Sequence, residues 1–373
     1  MLAIAILGLL TAVAVAAPVL EERQQDGRFT FYNLKTPASG PCDLAKGPDG
    51  ALWGEAILKN NIFRIDPKTG QVDEYPIPFT TPISNRTIPG LNNALIQDRT
   101  AFSCAIRRGA DGNLYASNGL RNQLVQINPT TKAIRIFQPP SQNPLGDLQP
   151  FNDLYTAHDG IYLTQTTANT FQFFAFATES FTTYAVPTPL ALPLGLYVDS
   201  HGIVYIAEML SNKILTFDPK TLEMNEYPLP QPAQLPTVVR AEKDGYIYFA
   251  LFTGNGIGRI SQTTHAIDLY HTNQTGGIGA EDTLDAAGGV WYSFFNVDSL
   301  ARLDTATKRF SYVAFPETFA GPTAAAGLSG GGVLGDVPPY VDVAVNYGPG
   351  DAIWFASVLE NTVGRYDISG LYG

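Results

Sequence analysis

The sequence predicts an all-β fold, a single seven-bladed β-propeller closed by its N-terminal strand. At seven places an aromatic residue precedes an Asn or Asp by seven positions. The pairs are Trp53/Asn60, Tyr115/Asn122, Tyr162/Asn169, Tyr205/Asn212, Tyr248/Asn255, Trp291/Asp298 and Trp354/Asn361. Three consecutive intervals between these aromatic residues measure 43 residues, and the remaining ones measure 47, 62 and 63. A period of about 40–45 residues is typical of propeller blades.

Within one repeat, turn signals separate four short runs rich in β-branched and aromatic residues. The clearest copy is 194–228. Its first turn is His201-Gly202, where other copies have Asp-Gly pairs such as Asp49-Gly50 and Asp159-Gly160. Glycine supplies the positive φ that such hairpin turns need. Because no helical periodicity interrupts these runs, each repeat is interpreted as four antiparallel strands.

The last repeat lacks an outer strand of its own, because the chain ends soon after Ile368. At the other terminus, Arg28-Phe-Thr-Phe-Tyr32 is similar to Arg309-Phe-Ser-Tyr312, the outer strand of the sixth repeat. We therefore predict that the N-terminal strand completes the seventh blade. Closure of this kind leaves only short, protected sheet edges.

The N-terminus predicts secretion. Residues 1–16 form an apolar run with small residues at its end, which is typical of a signal peptide, and 17–28 are an N-terminal spacer. The remaining 29–368 form the propeller, which we expect to be one domain. Sequons at Asn85 and Asn273 predict glycosylation in a eukaryotic host. The apolar run is too short to favour a membrane anchor.

The two cysteines predict a disulfide. Cys42 and Cys104 each precede their blade's aromatic residue by eleven positions, so they occupy equivalent places on neighbouring inner strands. Inner strands converge toward the propeller axis, which brings the two thiols within bonding reach. The alternative is a pair of unpaired buried thiols.

Charge narrows the choice of partners. The formal net charge is −11 and only 15% of residues are charged, without a basic stripe. Binding to a phosphate backbone needs such a stripe. We expect a monomer whose partner is a small molecule and not a nucleic acid.

Acidic residues recur near one position of the inner strands: Asp43, Asp153, Glu281 and Asp342. Four carboxylates around one narrow axis repel each other unless a cation or protons compensate their charge. One interpretation is a divalent cation in the central channel. The other is that these side chains accept hydrogen bonds from strand-end and turn N–H groups.

The residues that follow each aromatic residue are expected on the face of the funnel, together with the loops between blades. This face is rich in apolar residues with few polar groups, the usual form of a small-molecule site. Candidate substrate-binding residues are Phe252, Phe294, Phe295 and Tyr340, and candidate orienting or catalytic residues are Asn118, Arg121, Asn152 and Glu208. The alternative is packing between blades. Two insertions, 79–101 and 317–339, reach the same face, the second as a lid or as a disordered loop.

The motif Gly-Pro-Asp-Gly-x-x-Trp at 47–53, followed by Asn-x-Ile-x-Arg-Ile at 60–65 and again at 255–260, resembles the streptogramin B (virginiamycin B) lyase family. The resemblance implies a seven-bladed propeller over nearly the whole mature chain. The family uses magnesium with His and Glu residues of late blades. The corresponding positions here are Thr237, Ala280, Leu251 and Phe294. The resemblance therefore implies the fold without streptogramin cleavage.

Two looser resemblances suggest other chemistry. Phe151-Asn-Asp153 is similar to an inner-strand motif of metal-dependent gluconolactonase-type propellers. The general outline is similar to secreted fungal cyclases that perform hetero-Diels–Alder couplings. That reaction needs alignment of two apolar partners more than a strong acid and base. We therefore expect a secreted enzyme of secondary metabolism that cyclises or eliminates without a cofactor. A metal-dependent lactonase and a non-enzymatic binding propeller are the alternatives.

Overall fold

A computed structural model describes residues 27–78, 100–101, 103–141, 148–149, 152–297, 299–316, 342–358 and 360–372, without the side chains of 342 and 343. In these residues, 28 strands form seven four-stranded antiparallel sheets, which confirms the seven-bladed propeller. Regular helix is limited there to one 3₁₀ turn, Thr166–Ala168. No helix in the described part is long and apolar enough to cross a membrane.

Each blade takes four strands in chain order, except the seventh. Blade one contains β2 (Pro41–Lys46), β3 (Leu52–Ala56), β4 (Asn61–Ile65) and β5 (Val72–Pro76). Blade two contains β6 (Ile106–Arg108), β7 (Leu114–Asn118), β8 (Gln123–Ile127) and β9 (Ile134–Phe137). Blade three contains β10 (Leu154–Thr156), β11 (Gly160–Gln165), β12 (Thr170–Ala175) and β13 (Ser180–Ala185). Blade four contains β14 (Pro193–Val198), β15 (Val204–Glu208), β16 (Lys213–Asp218) and β17 (Glu223–Pro228).

The later blades follow the same plan until the ring closes. Blade five contains β18 (Pro236–Lys243), β19 (Tyr246–Leu251), β20 (Gly256–Ser261) and β21 (Ile267–His271). Blade six contains β22 (Gly279–Leu284), β23 (Val290–Phe294), β24 (Ser299–Leu303) and β25 (Phe310–Ala314). Blade seven contains β26 (Asp342–Gly348), β27 (Ala352–Ser357), β28 (Thr362–Asp367) and β1 (Phe29–Asn33).

The N-terminal strand supplies the outer strand of blade seven, as predicted. Strand β1 pairs antiparallel with β28, from Phe29 opposite Tyr366 to Asn33 opposite Thr362. The Phe29 ring also packs edge-on against Phe355 of β27, with 6.1 Å between ring centroids. Backbone hydrogen bonds and aromatic packing therefore join the two ends of the chain.

The seven repeated aromatic residues all lie on the second strand of a blade and are at most 4% exposed. Several of them also bond to the hairpin turn that precedes them. The Trp53 indole N–H donates to Asp49 Oδ1 (2.9 Å), and the Trp291 indole N–H donates to Asp285 Oδ2 (2.8 Å). One side chain thus fills the interface between blades and holds the first turn.

The Asn residues seven positions later adopt left-handed backbone conformations, with φ of 48–58° at all six described positions. Asn tolerates this region better than most residues. Its side chain also reaches the loop to the next blade. Asn169 Oδ1 accepts a hydrogen bond from the Ala191 N–H (2.8 Å), and Asn212 Oδ1 accepts one from the Gln234 N–H (2.9 Å). The repeat therefore selects Asn for its backbone and its side chain together. Asp298 lies outside the described residues.

One predicted turn glycine has a different role. Gly50 and Gly202 have positive φ, of 74° and 87°, as the turn chemistry requires. Gly160 instead begins strand β11, where a Cβ atom would lie 2.2 Å from the Phe174 carbonyl oxygen. Close backbone approach, and not turn geometry, excludes a side chain there.

The predicted disulfide joins Cys42 of β2 to Cys104, which precedes β6, with 5.3 Å between the Cα atoms. It lies at the start of two neighbouring inner strands and packs with Ile57, Leu58 and Val358. The bond therefore connects blades one and two close to the axis.

Replacing both cysteines, as Cys42→Ala with Cys104→Ala, should lower the free energy of unfolding by about 2–4 kcal/mol, because the unfolded chain regains the entropy of an open 62-residue loop. Urea denaturation followed by tryptophan fluorescence measures this change. Reductant should destabilise the native protein and leave the double variant unaffected. An equal effect of reductant on both proteins would contradict the prediction.

Candidate functional site

The two faces of the propeller differ in the connections that they carry. The funnel face carries the loops between blades and the turns between second and third strands, and the opposite face carries the other hairpin turns. Five inner strands, β2, β14, β18, β22 and β26, contain register shifts near their funnel-face ends. Bulges of this kind re-aim side chains. Asp43, Thr237 and Glu281 lie within these irregular segments.

The axial acidic residues come together with two arginines. Arg107 Nη1 bonds to Asp43 Oδ2 (2.5 Å), and Arg240 Nη2 bonds to Asp153 Oδ1 (2.7 Å). Arg107 Nη2 also lies 3.9 Å from Asp153 Oδ1. Glu281 interacts electrostatically with all four groups. Charges from five blades thus form one axial cluster: Asp43, Arg107, Asp153, Arg240 and Glu281.

This cluster does not fit a divalent cation. Asp43 also accepts hydrogen bonds from the backbone N–H groups of Leu44 (2.7 Å) and Ile106 (2.9 Å), and Asp153 accepts one from Leu196 N–H (3.0 Å). Two guanidinium groups already neutralise these carboxylates and would repel a metal ion. Of Asp342, the fourth predicted ligand, the structure describes the backbone only.

The remaining axial carboxyl groups are placed where burial opposes their ionisation. Burial, and then repulsion from Asp43, raises the pKa of Glu281 well above its usual range. Burial also raises the pKa of the adjacent Asp282, which is fully buried. Carboxyl groups in such surroundings favour the neutral form.

The two arginines were not predicted from the sequence, although a signal was present. Arg107 and Arg240 each precede their blade's aromatic residue by eight positions, close to the place that the acidic residues occupy in other blades. An alignment of basic residues alongside the acidic ones would have found the pairing.

Three candidate residues, Asn118, Glu208 and Phe294, occupy one structural position. Each follows its blade's aromatic residue by three places at the end of a second strand, and each is 0% exposed. Asn118 Nδ2 donates to Asn60 Oδ1 of blade one (3.2 Å), and Phe294 lies in a core cluster with residues of blade five. This position therefore lies in the packing between blades and does not line the funnel in this structure.

Of the three, only Glu208 has an ionisable side chain, and its pKa is shifted upward. Its Oε2 accepts a hydrogen bond from Ser211 Oγ (2.6 Å). Burial, reinforced by the nearby Glu226 carboxylate, raises the pKa of Glu208 to about 7. Glu226 itself accepts hydrogen bonds from Lys213 Nζ (2.7 Å) and from Thr188. These bonds outweigh the effect of burial and hold the pKa of Glu226 at about 2. The pair combines a group that titrates near neutrality with a fixed negative charge.

The polar candidates of blades two and three are held by their neighbours. Arg121 is 7% exposed, and its Nη1 donates to the Thr100 carbonyl oxygen (3.0 Å). Asn152 Oδ1 accepts a hydrogen bond from Ser103 Oγ (2.7 Å), and Ser103 bonds in turn to Ser117. Both candidates therefore contribute to local hydrogen bonding near the funnel face.

An apolar cluster occupies the funnel face of blades four to six. Its members are Leu192, Leu194, Met209, Leu235, Phe252, Ile278 and Phe295. The rings of Phe252 and Phe295 pack edge to face, with 5.6 Å between centroids. Leu210, in the turn beside Met209, is 42% exposed. Two of the predicted substrate-binding aromatics thus lie together here without Phe294, and Tyr340 lies outside the described residues.

The positions that the sequence resemblance assigns to the lyase residues carry no ionisable group. Thr237 Oγ1 donates to the Ala280 carbonyl oxygen (3.1 Å), which joins the inner strands of blades five and six. Leu251 and Phe294 are fully buried. These side chains provide packing and one hydroxyl group, but neither a base nor a metal ligand.

Metal-compatible spacing occurs in the described residues on the opposite face. Asp199, His201 and Glu242 each offer a ligand atom, and these atoms lie within 4.8 Å of one another. Asp199 Oδ1, however, accepts hydrogen bonds from the N–H groups of His201 (2.9 Å) and Ile203 (2.8 Å). Glu242 likewise accepts a bond from Ser200 N–H (2.8 Å). The two carboxylates therefore accept hydrogen bonds that stabilise the adjacent turn.

The two sequons differ in what the structure describes of them. Asn273 is exposed in the loop after β21, on the funnel face. Asn85 lies outside the described residues. Exposure makes Asn273 sterically accessible, while its glycosylation remains a prediction.

Comparison with known proteins identifies similar sequences and folds. A sequence profile of the virginiamycin B lyase family matches residues 89–329. A streptogramin B lyase structure is 19% identical over 90% of this chain and 96% of its own, with a TM-score of 0.71. A catalytically inactive virginiamycin B lyase from Staphylococcus aureus with quinupristin is 18% identical over 90% and 98%, with a TM-score of 0.70. No curated protein sequence matches significantly.

More distant propellers share the fold as well. The Cps50 (Swd1) β-propeller domain of Myceliophteria thermophila is 8% identical over 91% of this chain and 100% of its own, with a TM-score of 0.63. Identities this low extend to the architecture alone.

Replacing Glu208 by Gln should change the pH dependence of stability. Because the folded-state pKa of about 7 exceeds the ordinary value of 4.5, the protonated group stabilises the fold below pH 4.5, and this contribution is lost as pH rises through 7. Glu208→Gln should therefore gain, relative to the native protein, on the order of 2 kcal/mol in unfolding free energy between pH 4.5 and 8. Urea denaturation across this range measures the change.

Glu223→Gln is the matched control, because Glu223 is exposed on the outer strand of the same blade. A pH profile for Glu208→Gln that parallels the native one would show that Glu208 does not titrate in this range.

Proposed function

The chain belongs to the virginiamycin B lyase family, and from this premise we propose that it is a secreted enzyme acting on an apolar small molecule of secondary metabolism. The substrate binds at the funnel face, where it is cyclised or undergoes elimination, as in a hetero-Diels–Alder coupling. The observation that carries this proposal is the apolar cluster around Phe252 and Phe295.

The apolar cluster has the composition of a ligand-binding surface. Its core residues are Leu192, Met209 and Phe252, and partly exposed side chains, including Phe295, surround them. Leu210 and Leu190 extend the apolar surface, with 42% and 69% exposure. Hydrophobic surface of this kind removes an apolar ligand from water, and the paired rings offer faces for stacking. Polar groups such as Arg121 and Asn152 lie in other sectors of the same end of the propeller.

Positioning fits the available groups better than acid–base chemistry. The positions that correspond to the lyase residues hold Thr237, Ala280, Leu251 and Phe294, and Glu208 is fully buried between blades. Alignment of two reacting partners by itself accounts for several kcal/mol of a barrier. We therefore propose a reaction without a metal, consistent with the arginine pairing of Asp43 and Asp153.

Secretion is supported by three independent features. The chain begins with an apolar run, it contains two sequons, and Cys42 and Cys104 form a disulfide. Disulfides persist mainly in oxidising compartments. Export suits an enzyme that completes a metabolite outside the cell.

Deletion of the gene in its native producer tests the proposal directly. We expect the secreted metabolites, compared by mass spectrometry, to show an accumulated precursor and the loss of a cyclised or cleaved product. An unchanged profile under conditions in which the protein is expressed would overturn the assignment to secondary metabolism.

Leu210→Ser should weaken binding of the accumulated precursor about tenfold, because it removes exposed apolar contact area at the funnel face. Leu222→Ser is the matched control, because Leu222 is 60% exposed but lies in a hairpin turn of the opposite face. Titration calorimetry of both variants measures the change. Equal affinities would place the binding surface elsewhere.

Incubation with EDTA should leave the reaction rate unchanged, because the axial carboxylates are paired with arginines. Metal analysis of the purified protein provides the parallel measurement. Loss of the reaction on chelation, restored by a divalent cation, would overturn the metal-free mechanism and favour the lactonase alternative at Asp43, Asp153, Glu281 and Asp342.

A second candidate is a secreted propeller that binds without catalysis. It is favoured by the absence of ionisable groups at the four positions that correspond to the lyase residues, among the residues that the structure describes. Binding of the precursor without its conversion would distinguish this candidate from an enzyme.

A further inference from the structure

The central channel opens on the opposite face into a cavity of about 260 Å³. We call it the axial cavity. The residues important for its chemistry are Lys46, Arg107, Arg108, Tyr155, Arg240 and Asn346, which come from the inner strands of five blades. The cavity lies at the far end of the channel from the apolar cluster, so it is separate from the proposed substrate site.

The charge of the axial cavity is opposite to that of the chain. The protein has a net charge of −11, yet four cationic side chains line this cavity and none of its described lining residues is acidic. Of the carboxyl groups in the axial cluster, Asp43 and Asp153 each bond to one of the arginines, and burial raises the pKa of Glu281, which favours its neutral form. Lys46 and Arg108 are exposed at the rim and have no carboxylate partner among the ion pairs of the described residues. The local balance is therefore an excess of positive charge.

Arg107 provides a second, independent observation. Its side chain is 8% exposed, but its Nε and Nη2 atoms make no hydrogen bond. Nη2 lies 3.9 Å from Asp153 Oδ1, which is too far for a hydrogen bond. Buried donors without an acceptor are costly, especially on a charged group. These two donors lie behind the cavity wall, with almost no accessible surface, so an anionic oxygen in the cavity would become their acceptor after a small shift of the guanidinium group.

We propose that the axial cavity binds a small anion that carries phosphate or carboxylate groups. Arg107 and Arg240 face the anion from the channel side, and Lys46 and Arg108 neutralise its charge at the rim. Guanidinium groups match the geometry of both kinds of anion. The volume is several times the roughly 30 Å³ that one water molecule occupies in the liquid, so inorganic phosphate or a four-carbon dicarboxylate fits.

Titration calorimetry with inorganic phosphate and with succinate tests the proposal on the full-length protein at constant ionic strength, with chloride as the balancing ion. We expect saturable binding with one site per chain for at least one of the two anions. Preference for phosphate or for succinate identifies the source of the anionic group. Absence of saturable binding of either anion up to about 10 mM would overturn the proposal.

Two double variants connect the binding to the axial cavity. Lys46→Ala with Arg108→Ala removes the rim charges and should weaken binding at least about tenfold. Lys68→Ala with Lys220→Ala removes the same charge from exposed turns of the same face and should leave the affinity unchanged. Equal weakening in both variants would show a diffuse charge effect and overturn the site.

A third variant tests the buried arginine without leaving an unpaired charge. Asp43→Asn with Arg107→Gln removes both members of the ion pair together, whereas Arg107→Gln alone would strand a buried carboxylate. We expect loss of anion binding while thermal unfolding without anion remains cooperative. Retained native affinity in a folded Asp43→Asn, Arg107→Gln protein would overturn the role of Arg107.

Discussion

Ring closure is the constraint on which the rest of this structure depends. A four-stranded blade cannot bury both of its faces alone, so each blade is stable only between two neighbours. The seven aromatic residues of the second strands occupy these interfaces and are almost completely buried. The pairing of β1 with β28 then completes blade seven, which closes the ring between blade six and blade one. Hydrogen bonding between strands that are distant in sequence thereby makes every blade an internal one.

Closure also forces the inner strands together at a narrow axis, and this convergence determines the electrostatics. Acidic side chains from several blades meet where water is scarce, and charges left unpaired there would be costly. Arg107 and Arg240 neutralise Asp43 and Asp153, while burial raises the pKa of Glu281. The two ends of the channel differ in character. The apolar cluster lies on the funnel face, and the axial cavity, lined by cationic side chains, lies on the opposite face.

The family relationship and the local chemistry carry different information. The propeller of the virginiamycin B lyase family is retained over nine-tenths of the chain, at identities below one fifth. The positions that the sequence resemblance assigns to the lyase residues hold Thr237, Ala280, Leu251 and Phe294, which have no ionisable side chain. Packing between blades tolerates many apolar substitutions, so a fold can be shared by proteins whose site residues and chemistry differ. The shared fold therefore does not by itself determine the activity of this chain.

The sequence by itself determined the number of blades, the strand order, the closing strand and the disulfide. Each of these depends on local turn chemistry or on a repeated spacing, and Asn169 and Asn212 even show why the repeat needs Asn. Only the tertiary structure decided which side chains meet. It paired the axial carboxylates with Arg107 and Arg240, and it separated Phe294 from Phe252 and Phe295. Spacing fixes a residue's place on its strand, but bulges and packing between distant blades set the direction and the partners of its side chain.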